Sequence, residues 1–203
     1  MTAAKTDRDW DAKYRTGDTP WDSRETSREL TRVLEEYEIN PGRALELGCG
    51  TGTNAIFLAT RGFSVTAIDC AIPAIETARE RAQSAGVEID WHLADVQHFG
   101  ADLAPFDFVF DRGVYHCCRR VDLDGYLATL AQVTRPGTLY LSLAGNVNEG
   151  VTTGPPRVSA TDICRELEPL FEIVHLREFH FMDAGGVQGP LGWSTLLRRK
   201  ETR

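Results

Sequence analysis

A chain of 203 residues with 42% hydrophobic side chains suits one domain with a substantial core. A formal net charge of −8 argues against an electrostatic nucleic-acid binder, which would carry a basic footprint. No stretch reaches the roughly 20 apolar residues of a membrane span, and the first 15 residues are charged with no apolar run, so the expectation is a soluble cytoplasmic protein.

In chain order, residues 7–14 read as a short helix carrying Trp10 and Tyr14, followed by a loop marked by Gly17, Pro20 and Trp21. A longer helix is predicted over residues 23–37, with Leu30, Val33, Leu34 and Tyr37 at helical spacing. Asn40-Pro41-Gly42 ends it, and a buried strand over 43–47 runs into the glycine-rich turn Gly48-Cys49-Gly50-Thr51-Gly52 and then a helix to Arg61. A second strand covers 64–68 and is closed by Asp69. A helix over 73–85 turns Ile75, Ala78, Ala82 and Ala85 inward and stops at Gly86. A third strand covers 88–93, and a fourth covers 106–110 and ends at Asp111-Arg112-Gly113-Val114-Tyr115-His116. Asp122 opens a helix whose Leu123, Tyr126, Leu127, Leu130 and Val133 share one side. Arg135-Pro136-Gly137 closes it before a fifth strand over 138–143. Strand then helix, repeated, implies parallel strands with right-handed crossovers in an α/β fold. A polar loop over 146–157, a helix capped by Ser159, a strand over 171–179, a loop over 180–189 and a strand over 190–198 complete the chain.

The glycine turn is the centre of the chemistry. Backbone comes close to a ligand where glycine removes Cβ, and the following helix offers free N–H groups and a positive dipole end. The third glycine comes one residue too early for a dinucleotide fingerprint, and Glu46 stands two residues before Gly48. This E-x-G-x-G-x-G run resembles motif I of the class I S-adenosylmethionine-dependent methyltransferases, whose loop holds the amino-acid and ribose part of the cofactor. The resemblance covers nearly the whole chain. It implies a Rossmann-like, doubly wound sheet of seven mostly parallel strands, with an antiparallel C-terminal strand and helices on both faces. It also implies one methyltransferase domain over 1–203: a helical lid over 1–40, a cofactor-binding core over 41–145, and a substrate-side part with a closing hairpin over 146–203.

Residue by residue, the cofactor set implied is Trp10, Tyr14, Trp21, Glu46, Gly48, Cys49, Gly50, Thr53, Asn54, Asp69, Cys70, Asp95, Val96 and Asp111. Asp69, about 20 residues beyond the turn, is placed for ribose hydroxyls, or else caps the next helix. Asp95 matches the acid that meets the adenine amine and Val96 the residue packed on the ring; the alternative for Asp95 is a turn or cap. A narrower resemblance, to the thiopurine and thiol methyltransferases and the tellurite-resistance methyltransferases, rests on two patches. One is the leader, with Trp10, Tyr14, Pro20 and Trp21; the other is Asp111-Arg112-Gly113. The leader aromatics either close the site or staple the leader to the body.

The catalytic candidates are Asp111, Arg112 and His116, which an open α/β sheet would place beyond the carboxyl ends of its strands. Arg112 would hold an anionic acceptor or lower a thiol's pKa; the alternative is an ion pair with Asp111. The five cysteines, Cys49, Cys70, Cys117, Cys118 and Cys164, match neither a zinc site nor a disulfide framework, and no metal is expected. The expected reaction is methyl transfer from S-adenosylmethionine to a small-molecule acceptor, with a thiol or other chalcogen nucleophile favoured. O- or N-methylation with His116 or Asp111 as base is the alternative, and a non-catalytic cofactor-binding scaffold is the alternative of another class. No nucleic-acid or membrane partner is expected, and a monomer is the default.

Overall fold

The structure is a computed structural model that describes residues 9–100, 103–150, 156–183 and 187–201. Its seven strands form one sheet in the order β3-β2-β1-β4-β5-β7-β6. They are β1 Arg43–Leu47, β2 Ser64–Asp69, β3 Asp90–Leu93, β4 Phe106–Arg112, β5 Thr134–Gly145, β6 Phe171–Asp183 and β7 Val187–Arg199. The pairs from β3 through β5 are parallel, and β7 runs antiparallel to both of its neighbours. The helices are α1 Trp10–Thr16, α2 Arg28–Glu36, α3 Thr53–Thr60, α4 Ile72–Ala85, α5 Tyr115–Cys118, α6 Leu123–Val133 and α7 Ala160–Leu167. The chain order reverses between β1 and β4, and the crevice at a switch point of this kind is where open α/β sheets bind ligands.

Apolar side chains alternate to build a core on each face of the sheet. Phe106 and Val109 join Tyr126, Leu130 and Val133 of α6 in one layer. Phe108 and Phe110 join Leu30 and Val33 of α2 and Leu58 of α3 in the other. A strand buried on both faces reads as a near-continuous apolar run, as β4 does.

Several boundaries differ from the expectations. α1 starts at Trp10 because the Asp9 carboxylate accepts from Ala12 N at 2.9 Å; residues 7 and 8 lie outside the described residues. α2 starts at Arg28, not at residue 23, because Ser27 caps it while Arg24 takes a positive φ of 58°. β3 starts two residues later than expected, at Asp90, and Ala85 faces solvent at the end of α4. β4 continues through Arg112, so Asp111 and Arg112 end a strand and do not belong to a loop. β5 begins directly at Thr134, with a shift of register between Phe106 and Phe108 opposite it. β6 and β7 take most of the expected loop into one long hairpin, and residues 184–186 lie outside the described residues.

The carboxyl end of β4 is tied down by Asp111. This side chain is fully buried. Its Oδ1 accepts from Val114 N at 2.9 Å and Tyr115 N at 3.1 Å. Its Oδ2 accepts from the Tyr140 hydroxyl at 2.6 Å and the Tyr126 hydroxyl at 3.4 Å. One carboxylate thus joins β4, β5, α5 and α6. Burial pushes its pKa up while the donors oppose the rise. Asp111→Ala leaves those donors without their acceptor and should lower stability by about 3 kcal/mol, read as a shifted urea midpoint at unchanged slope. A change below about 1 kcal/mol would remove Asp111 from this role.

Candidate active site

The glycine turn follows β1 at the switch point. Gly48, Gly50 and Gly52 all take positive φ, at 62°, 54° and 80°. A Cβ on Gly48 would meet Val114 at 2.3 Å, and one on Gly52 would meet Trp91 at 2.7 Å and Ala78 at 2.9 Å. A Cβ on Gly50 would meet the Tyr14 hydroxyl at 2.8 Å, so the leader, not open space, faces this glycine. Asp69 holds the turn from below: Oδ2 accepts from Gly50 N at 2.8 Å and Oδ1 from Ala71 N at 2.9 Å. Asp69 is therefore a brace for the turn, and the N-cap of α4 is Ala71, with no side-chain cap.

Glu46, on β1 just before the turn, is buried. Its Oε1 accepts weakly from Asn54 Nδ2 at 3.4 Å. Its Oε2 is buried with no hydrogen-bond partner, and the residue borders a cleft. Burial pushes the carboxyl up to about 8, against the lowering effect of the bonds from Asn54 and Ala55 N. A buried carboxylate oxygen without a partner is costly, and a cationic ligand group in the cleft would relieve it.

The leader closes the cleft. Trp21 packs edge-on against Trp10 and Tyr14, with centroids 5.5 and 6.2 Å away, and its Nε1 donates to the Tyr14 hydroxyl at 3.3 Å. Burial, with the Asp69 charge nearby, raises the Tyr14 pKa. The Asp22 carboxylate accepts from Thr51 Oγ1 at 3.0 Å, and Arg81 Nη1 donates to Thr51 O at 2.8 Å and Thr53 Oγ1 at 2.9 Å. Asp11 Oδ1 accepts from Ile72 N at 2.9 Å. Arg112 Nη1 donates to Trp21 O at 2.9 Å, Nη2 donates to Met182 O at 3.3 Å, and the guanidinium lies 5.0 Å from the Phe181 ring.

Trp21, Glu46, Gly48, Cys49, Gly50, Thr53, Asn54 and Arg112 thus meet around one cleft. Neither Asp111 nor His116 borders it: Asp111 faces the side of the sheet opposite to Arg112, its neighbour on β4, and His116 lies in α5 turned to Gly145 of β5. Arg112 accordingly makes its contacts with the leader and β6, on the face opposite the Asp111 network. His116 is buried, and its Nδ1 accepts from Gly145 N at 2.7 Å. Cys70 and Asp95 follow β2 and β3. Cys70 is exposed, and Asp95 caps the 3₁₀ turn Val96–His98 by accepting from Gln97 N at 3.0 Å. Val96 is buried in the core layer with Tyr126. None of the five cysteines forms a disulfide, and burial pushes the Cys49 and Cys118 thiols up. Among the described residues, no group of three His, Cys, Asp or Glu side chains is arranged to hold a metal, and no helix is long and apolar enough to cross a membrane.

Among the cleft residues that the sequence did not single out are Asp22, Glu25 and Thr51, and Arg81 bonds to the cleft threonines from outside the lining. Asp22 sits next to Trp21, where an acid after Pro-Trp was a signal that passed unused. Arg81 lies about 30 residues from its threonine partners and gave no local signal.

A family model described as a methyltransferase domain matches residues 44–137, which include the glycine turn, Asp69, Asp95 and Asp111. Over this segment, a little under half of its length, the chain is similar to S-adenosylmethionine-dependent methyltransferases. It is 26% identical over 125 residues to a 2-heptyl-1-hydroxyquinolin-4(1H)-one methyltransferase of Mycobacteroides abscessus, covering 61% of this chain and 55% of that one. It is 23% identical over 169 residues to a probable thiol methyltransferase 2 of Arabidopsis thaliana, covering 82% of this chain and 75% of the other. A solved structure from work on converting a disulfide bond into a thioacetal group during echinomycin biosynthesis shares the fold. Its TM-score is 0.82, with 24% identity over 96% of this chain and 93% of that one. The chain spans about half the length, or less, of several curated relatives.

The family's cofactor, S-adenosylmethionine, carries an ammonium that fits the unpartnered Glu46 oxygen. The ligand-free fold holds the Glu46 proton up to about pH 8, and the unfolded chain releases it near 4.5. Unfolding therefore releases a proton within that window, and stability falls as pH rises through it. Glu46→Gln should flatten this fall, measured as denaturant midpoints of the two ligand-free proteins between pH 5 and 8. Parallel pH profiles would show that Glu46 is ionised in the folded chain.

Proposed function

We propose that this chain transfers a methyl group from S-adenosylmethionine to a small-molecule acceptor, with a thiol or another chalcogen nucleophile preferred. The observation that carries the cofactor half is the buried, unpartnered Glu46 Oε2 bordering the cleft at the glycine turn. When bound, the cofactor supplies an electrophilic methyl on a sulfonium that leaves as a neutral thioether. Glu46 and Asn54 would hold its ammonium end, the turn braced by Asp69 would receive the amino-acid and ribose part, and Trp21 would cover it. Asp95 and Val96 are proposed for the adenine on family resemblance.

What this chain adds is alignment and exclusion of water. The leader would act as a cover over the bound cofactor, through Trp21 and Asp22 at the rim of the cleft. Arg112 bridges the leader and β6 beside the cleft, and it also borders a second cleft with Phe179 and Phe181. A guanidinium there would favour the anionic form of an acceptor and lower a thiol's pKa.

Support for a soft nucleophile comes from Asp111. Its two oxygens already accept two backbone N–H groups and the Tyr140 hydroxyl, and it faces away from the cleft, so it is poorly placed to take a proton from an alcohol or amine. The similarity to a probable thiol methyltransferase points the same way. No feature of the described residues specifically favours the scaffold alternative.

Two measurements test this reading. Methylation with labelled cofactor against benzenethiol, sulfide, selenite, tellurite, a phenol and an amine should label the sulfur and chalcogen members. Transfer confined to the phenol or amine would overturn the preference, and tight cofactor binding with no transfer would favour the scaffold. Trp21→Ala should speed the release of S-adenosylhomocysteine about tenfold in stopped flow, the equivalent of about 1.4 kcal/mol of lost cover. An unchanged rate would leave Trp21 as packing alone.

A further inference from the structure

His116 is, with Asp111, one of the two groups that the sequence offers as a base for an acceptor that needs one. Its surroundings settle which ring nitrogen carries the proton. Gly145 N donates to His116 Nδ1 at 2.7 Å, in a buried contact. A backbone N–H cannot accept, so Nδ1 is bare and the proton of the neutral ring sits on Nε2. A neutral imidazole with its proton on Nε2 can only donate there. Its one basic nitrogen, Nδ1, is turned to the backbone of β5.

The ring also has a definite place in the sheet. It lies between the carboxyl ends of β4 and β5. Nε2 is 3.5 Å from the point where a Cβ on Gly113 would stand, and Nδ1 is the same 3.5 Å from that point on Gly145. Gly113 N donates to Leu143 O at 2.8 Å, which carries the β4–β5 pairing one residue past Arg112. Gly113 takes a φ of 86°, which the turn into α5 requires. Gly145 N is the last β5 donor before the loop that returns at Val158, whose N donates back to Gly145 O at 2.9 Å. The imidazole therefore spans the two strand ends that carry Arg112 and the loop starting at Asn146.

We infer that His116 is a positioning residue, locked as a hydrogen-bond donor at Nε2 by the Gly145 N–H, and not the base of the reaction. This rests on the methyl-transfer reading above. An acceptor that arrives with its lone pair free needs neither Asp111 nor His116 as a base. A thiolate or another chalcogen anion meets this condition at neutral pH, having lost its proton to solvent before transfer. The carbon–acceptor bond then forms as the carbon–sulfonium bond breaks, and no proton moves in that step.

The test has two arms. In the first, wild-type protein labelled with ¹⁵N-histidine is examined by long-range ¹H–¹⁵N correlation at pH 7, with the His116 signals identified by their loss in His116→Asn. The expected pattern is a protonated Nε2 and a bare Nδ1. A protonated Nδ1 with a bare Nε2 would overturn the inference, whatever the enzyme's substrate. In the second arm, turnover of benzenethiol is compared among wild type, His116→Phe and His116→Asn. His116→Phe removes the acceptor for Gly145 N–H and should lower kcat about tenfold through misalignment. His116→Asn returns an acceptor oxygen near the Nδ1 position and should restore kcat to within about threefold. A loss of about 100-fold or more in His116→Asn, with cofactor affinity retained, would mark a base and overturn the inference. If wild type fails to methylate benzenethiol, the functional reading fails, and the tautomer from the first arm still decides the role of His116.

Discussion

A single buried carboxylate determines how the working end of this sheet is built. Asp111 closes β4 and gathers two backbone N–H groups from the start of α5 and two tyrosine hydroxyls from α6 and β5. Leaving such a group without donors inside the core is costly, so the four elements are held in one arrangement wherever the carboxylate is satisfied. The Tyr126 and Tyr140 hydroxyls also bond each other at 2.8 Å, which makes the network closed. The turn Gly113-Val114 follows directly, and Val114 in turn packs where a side chain on Gly48 would stand. The shape of the glycine turn is thus set partly from β4, across the switch point.

The same strand end sends Arg112 to the opposite face, and there the logic is different. Arg112 bonds the carbonyl oxygens of Trp21 and Met182, two residues that belong to the leader and to β6. It acts as a bridge across a cleft, not as a member of a sealed core. The other leader contacts, through Tyr14, Asp22 and Asp11, reach Gly50, Thr51 and Ile72, all in the segments that follow β1 and β2. The Asp22 and Asp11 contacts are polar and of modest individual strength, while Tyr14 packs over Gly50. A segment held by a few contacts of this kind suits the cover proposed for the leader.

Much of this arrangement was legible in the sequence, and the reasons are local. The strands announce themselves as apolar runs between punctuation such as Asn40-Pro41-Gly42 and Gly86, and the E-x-G-x-G-x-G run marks the turn by spacing alone. Asp122 caps its helix by reaching three residues ahead, as its place before an apolar run suggested, whereas the caps Asp9 and Ser27 were not recognised and the first two helices start later than expected. The role of Asp111 was not legible, because its tyrosine partners lie 15 and 29 residues away and are brought in by the sheet. His116 depends likewise on Gly145, 29 residues distant. Sequence spacing identified the chemical types near the strand ends, but which face each one takes was decided by the last residues of β4 being strand.

Glu46 and Asp111 are both acids near the carboxyl ends of adjacent parallel strands, both buried, and both pushed up in pKa by burial. They differ in satisfaction. Asp111 has a donor for each oxygen from its own chain, so its conformation is fixed and its lone pairs are committed. Glu46 has one weak donor from Asn54, one backbone contact and a second oxygen with nothing to bond. A fold that satisfies one acid completely and leaves its neighbour incomplete at the edge of a cleft has separated support from recognition. The desolvation cost left at Glu46 is one that a cationic group in the cleft would relieve, and this is the physical basis of the role proposed for it.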